Sequence, residues 1–189
     1  MIISDSILNS IRKYISKHHE LYSTSVKAEQ WEEILFKALT ENNFSASWES
    51  GSHKVGEDIE TEEFGRISCK GGALKRTRYK NELLSISGSR TTSYKTLDSK
   101  IMYLSSSHDD HYFCLAKYKK DINSGNYCYK LIVFPSKLIK PSNLEWKEKG
   151  KDFCAEGIGI TQKIQTSMSG QLWTDLDVSL TSYQYDITV

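Results

Sequence analysis

Apolar positions recur at helical spacing twice near the start of the chain. Between Ser6 and His18, the residues Ile7, Leu8, Ile11, Tyr14 and Ile15 share one helix face. Trp31, Ile34, Leu35, Ala38 and Leu39 form a second stripe, with Ser25 as candidate N-cap and Asn42-Asn43 as its end. The period then falls to two. Phe44–Glu49 reads as a strand running into Ser50-Gly51-Ser52. Gly56–Glu60 and Phe64–Gly72 read as two strands joined by the tight loop Thr61–Gly65. In the second of these, Arg66, Ser68 and Lys70 point one way, Ile67 and Cys69 the other. Leu83–Ser87 has strand character and Gly88–Thr92 reads as a polar turn. Tyr94, Leu97, Ile101 and Leu104 then mark the core face of a third helix. Tyr112–Tyr118 and Tyr127–Phe134 form a hairpin turning at Asn123–Asn126. Ser136–Ile139 reads as one helical turn, and Phe153–Val189 as short strands and loops.

These elements describe an α/β protein with a mixed sheet flanked by helices. The 189 residues suffice for one domain, with a core over about 25–135 and a candidate recognition or dimerisation segment over 136–189. Hydrophobic residues at 38% and charged ones at 26% fit a soluble globular chain rather than a disordered one. Net charge is only +1, so any contact with nucleic acid must rest on locally concentrated cations. No apolar run approaches the ~18–20 residues of a membrane span, and Met1–Asp5 does not open a secretory signal. The cysteines at 69, 114, 128 and 154 form no CxxC pair, which argues against zinc. Three stand in apolar strand-like runs as reduced thiols, so a cytoplasmic location is expected.

The candidate chemistry lies in the hairpin. Antiparallel pairing about Thr61–Gly65 puts Asp58 opposite Ser68 and close to Lys70. A carboxylate beside an ammonium on rigid strands suits metal-assisted hydrolysis of a phosphodiester. Mg2+ takes oxygen ligands, commonly one or two carboxylates with waters and substrate phosphate. Asp58 can supply one carboxylate and the backbone carbonyl of Cys69 another oxygen. Lys70 can orient or deprotonate the attacking water. The basic run that follows, with Lys75, Arg76, Arg78 and Lys80, is read as a loop contacting phosphates. Arg90, Thr91 and Lys95 precede the third helix and suggest a phosphate cradle. His53, five residues before Asp58, is a candidate accessory group. His108-Asp109-Asp110-His111 reads as a polar turn rather than a metal cluster.

The spacing of Asp58 and Ser68-Cys69-Lys70 resembles the PD-(D/E)XK nuclease motif, familiar from type II restriction endonucleases. The resemblance spans Trp31–Tyr118 and is sharpest over Gly51–Gly72. It departs at Glu57, where proline is common, and at Ser68, which replaces the acidic member of the (D/E)XK triplet. The resemblance implies an αβββαβ core, Mg2+, double-stranded DNA as substrate and a homodimer that cuts both strands. Some members recover the lost carboxylate about a dozen residues downstream, which here implies Glu82, with Glu60 as competitor. In related folds a glutamate on the preceding helix sometimes reaches the metal; here Glu29, Glu32 and Glu33 read as a solvated face. Alternative readings are a catalytically silent nucleic-acid-binding module of the same fold, a protein-binding α/β domain, or an RNA-directed nuclease.

Overall fold

The computed structural model describes residues 3–48, 58–77, 81–120 and 127–189. The two N-terminal stripes fold as helices, α1 (Asp5–Leu21) and α2 (Ala28–Glu41). Ser4 caps α1 by accepting the Ile7 N–H at 3.4 Å. Ser25 lies ahead of α2 rather than capping it; the Gln30 side chain closes that end by accepting the Lys27 N–H at 2.9 Å. The apolar faces of both helices pack on one face of a sheet, against Ile59, Ile67, Cys69, Phe113 and Leu131. Trp31 is fully buried there, and its indole N–H donates to the Phe113 carbonyl at 2.8 Å. That bond fastens α2 to the sheet at a defined height.

The chain is mixed α/β, with eleven strands in one sheet among the described residues. The strands are β1 (Ala46–Trp48), β2 (Ile59–Thr61), β3 (Gly65–Arg76), β4 (Glu82–Arg90), β5 (His111–Lys120) and β6 (Tyr127–Pro135), followed by β7 (Trp146–Lys149), β8 (Asp152–Gly157), β9 (Ile160–Gln165), β10 (Gln171–Asp177) and β11 (Tyr183–Thr188). Their spatial order is β11-β6-β5-β3-β4-β10-β9-β8-β7, with β2 beside β3 and β1 beside β2. Among the described residues only β3 and β5 run parallel; their connection carries the third helix, α3 (Leu97–Ser105). A second apolar cluster, with Leu84, Ile86, Cys114, Ile132, Phe134 and Leu176, fills the opposite face of the sheet.

Long β3 organises the centre. One edge pairs with β5 over residues 67–73. The other edge takes β2 at residues 65–67 and β4 at residues 72–76. Between these partners, residues 68–71 pair with no described strand on that edge.

Three expectations change. The basic run is not a loop at its start: Ala73, Leu74, Lys75 and Arg76 continue β3, held by pairing with β4. Gly88–Arg90 belong to β4 rather than to a turn, because β10 arrives from the far end of the chain and pairs along it. The residues of α3 read as core are only half-buried, and Met102 is 71% exposed. The segment 136–189 supplies strands to the same sheet, with β10 against β4 and β11 against β6. All four cysteines are free thiols, Cys69 and Cys114 buried. Among the described residues, no helix is long and apolar enough to cross a membrane.

Candidate active site

The β2–β3 hairpin adopts the expected register, Ile59 opposite Ile67 and Thr61 opposite Gly65. Thr61 shapes the turn, its hydroxyl accepting the Phe64 N–H at 2.8 Å. Gly65 has φ +66°, and a Cβ there would lie 2.5 Å from Asp110 Oδ2, so only glycine fits. One step back along the register, Asp58 stands opposite Ser68 and donates its N–H to the Ile67 carbonyl at 3.0 Å.

The Asp58 carboxylate turns into the unpaired stretch of β3. Its Oδ2 accepts the Cys69 N–H at 2.6 Å, the Ser68 hydroxyl at 3.4 Å and the Lys70 ammonium at 3.4 Å. All three contacts fall on Oδ2; Oδ1 makes no hydrogen bond among the described residues. The pair is mostly sheltered, with side-chain exposures of 17% for Asp58 and 26% for Lys70. Ser68 is fully buried. The N–H and C=O of a strand residue face the same edge, so the Cys69 carbonyl is directed to the side of its own N–H and of Asp58.

Glu32, on α2, lies within electrostatic range of this pair. It follows Trp31 in α2, whose first turn presses on β3: a Cβ on Gly71 would lie 3.5 Å from the Ala28 nitrogen. Burial, chiefly, and then the charge of Asp58 push the Glu32 carboxyl above its ordinary range; Lys70 and a hydrogen bond from Trp48 act the other way. The solvated-face reading of the α2 glutamates is therefore corrected at one position. Glu29 and Glu33 are exposed, Glu33 pairing with Lys37 at 2.5 Å, but Glu32 is half-buried and within electrostatic range of Asp58 and Lys70. The available signal was its place beside a buried Trp, at the margin of the apolar stripe.

The structure does not bring Glu82 to this group. Glu82 opens β4 opposite Arg76, six residues along β3 from Lys70 and roughly 20 Å away at about 3.3 Å per residue. Its carboxylate instead pairs with Lys130 at 2.7 Å and Arg76 at 3.7 Å. The reason is hairpin register: continued along β4, the position opposite Lys70 is Gly88. Glu60 is exposed, opposite Arg66 at the loop end of the hairpin.

The candidate DNA contacts divide. Lys75 is exposed and pairs with Asp175 at 3.3 Å, while Arg76 reaches the Tyr118 hydroxyl. Arg90 and Lys95 are exposed. Thr91 cannot serve a phosphate: it is fully buried, donates to the Gly170 carbonyl at 2.8 Å and accepts from Lys100 at 3.3 Å. Thr96, not Thr91, caps α3. His53, Arg78 and Lys80 lie outside the described residues. The His108–His111 turn is structural on its β5 side: Asp110 accepts the Arg66 N–H at 2.9 Å, and His111 Nδ1 lies 3.0 Å from the Phe64 carbonyl.

Among the described residues, no three His, Cys, Asp or Glu side chains gather closely enough to hold a metal by themselves. Mg2+ needs fewer, since waters and substrate oxygens fill its shell. Asp58, Glu32 and the Cys69 carbonyl are all hard oxygen donors. The like-charge effect of Asp58 on Glu32 is the repulsion that a divalent cation relieves. These oxygen donors are of the type the ion takes. Comparison of the chain with family models, curated proteins and solved structures returns no match.

Proposed function

We propose that the chain is a Mg2+-dependent endodeoxyribonuclease similar to type II restriction enzymes. One observation carries this reading: the Asp58 carboxylate stands beside the Lys70 ammonium at a stretch of β3 that no described strand pairs on that edge, with the half-buried Glu32 of α2 within electrostatic range. The order α2-β1-β2-β3-α3-β5, with β3 parallel to β5, supports it as an αβββαβ arrangement into which β4 is added.

Asp58, Glu32 and the Cys69 carbonyl would hold Mg2+, which when bound offsets phosphate charge and acidifies a water. Asp58 is held in place for this by the Cys69 N–H and the Ser68 hydroxyl, both acting on Oδ2. Lys70 orients the attacking water and offsets negative charge growing on the phosphate oxygens. Of the cations expected to meet DNA, Lys75, Arg76, Arg90 and Lys95 are exposed at the surface. Cutting both strands of a symmetric site would require two copies of the chain related by a two-fold axis.

Incubation with plasmid DNA and Mg2+, followed by sequencing of fragment ends, tests the reading. Cuts at a fixed sequence, absent for Asp58→Ala, are expected. A second reading rests on Ser68, which stands buried where an acid is usual: a silent DNA-binding module. Salt-sensitive retention of DNA without metal-dependent cleavage would establish that module and overturn the nuclease.

A further inference from the structure

Lys70 has a second neighbourhood. On the face of the sheet opposite α2 it borders a pocket of about 150 Å³ that no part of the cleavage chemistry uses. We propose that this pocket receives the base of one unpaired deoxynucleotide next to the phosphate met by Lys70. The inference rests on the nuclease reading and names the form of its substrate.

Size is the first argument. A cavity of about this volume accommodates a single six-membered aromatic ring; a base pair is far too large. The lining is the second. Leu104 from α3 and Leu172 from β10 supply apolar surface, and Tyr112 supplies an aromatic wall. The Tyr112 ring is held by stacking on Phe134, with centroids 5.4 Å apart and planes 13° from parallel. Its hydroxyl has no hydrogen-bond partner among the described residues and is free to meet a polar base edge. Apolar faces with a few polar groups are the chemistry of a base pocket. Charge is the third argument. Lys137, Lys140 and His108 are exposed residues of the same lining, placed for the phosphates of the strand that delivers the base. A base reaches the pocket either by extrusion from a duplex or from a strand already single.

Calorimetric titration with dTMP and dCMP tests the pocket directly. The wild type and Asp58→Asn should both bind saturably. Leu104→Trp fills the cavity from half-buried α3 and should weaken binding roughly tenfold or more, as loss of a stacked base does. The double variant Lys137→Ala, Lys140→Ala changes only exposed side chains and should also weaken it. Failure of the wild type to bind, binding unchanged in Leu104→Trp, or inorganic phosphate binding as tightly as dTMP would each overturn the proposal. Oligonucleotides carrying 2-aminopurine beside the target pyrimidine, with Asp58→Asn, distinguish the two sources, because the probe brightens when its stacked neighbour leaves. A fluorescence rise on a duplex marks extrusion; a response confined to single strands marks an unpaired substrate. Mononucleotide binding without any cleavage would remove the nuclease reading and leave the pocket, while cleavage without mononucleotide binding would do the reverse.

Discussion

The Asp58 carboxylate accepts the main-chain N–H of Cys69 at 2.6 Å, across the edge of β3 where β2 has ended and β4 has not begun. Cys69 is buried, and a buried N–H without an acceptor is costly. Asp58 thus meets a donor that no described strand pairs, while placing negative charge beside Lys70. A structural role and the proposed chemical one fall on the same side chain.

Those roles separate by substitution. Asp58→Ala should abolish cleavage and cost about 1–3 kcal/mol of stability, because the Cys69 N–H is left unpaired. Asp58→Asn retains an acceptor oxygen, so most of the stability should return without the cleavage. Urea denaturation and plasmid cleavage read the two effects. Wild-type cleavage by the Asn variant would remove Asp58 from the metal site.

Lys70 is expected to act on the rate rather than on the fold. Lys70→Ala should slow single-turnover cleavage roughly 10²–10⁴-fold. Lys70→Arg should not restore it, since a guanidinium is bulkier, planar and unable to give up its proton near neutrality. Full rescue by arginine would leave Lys70 with only a charge-balancing role.

Glu32 links the site to pH. Its carboxyl binds a proton above the ordinary range, so the folded protein holds that proton at pH values where the unfolded chain has lost it. Stability should fall as pH rises from the unfolded to the folded pKa and stay lower above it. Glu32→Gln removes this ionisation. It should melt higher than the wild type at neutral pH, converge with it in acid, and lose metal-dependent cleavage. Thermal melts across the acid range test the sign; a variant less stable at neutral pH would contradict the account.

Glu82→Gln should behave in the opposite way. Cleavage should persist, because Glu82 stands far along β3 from Lys70. Stability should drop by about 1–3 kcal/mol as Lys130, only 14% exposed, loses the charge of its 2.7 Å partner. Loss of cleavage with an unchanged melting temperature would return Glu82 to the metal.

The chain encodes locally what acts locally. Helical stripes in α1 and α2, alternation through β3 and the glycine-closed turn of the β2–β3 hairpin were all legible, and with them the meeting of Asp58, Ser68 and Lys70. Such features depend on periodicity and on a short loop whose length sets register. Tertiary structure alone decided that Glu32 lies within electrostatic range of Asp58 and Lys70 and that Glu82 pairs with Lys130 instead. A twelve-residue separation became the distal end of a hairpin, while Glu32, twenty-six residues before Asp58, sits on a helix packed against β3. It also decided that Thr91 is buried beneath Gly170, and that the basic run begins as a strand, since the partners responsible come from β10, the β9–β10 turn and β4. Side-chain alternation marks which face a residue takes, but which strand or helix arrives beside it depends on packing between distant segments, and no local pattern carries that information.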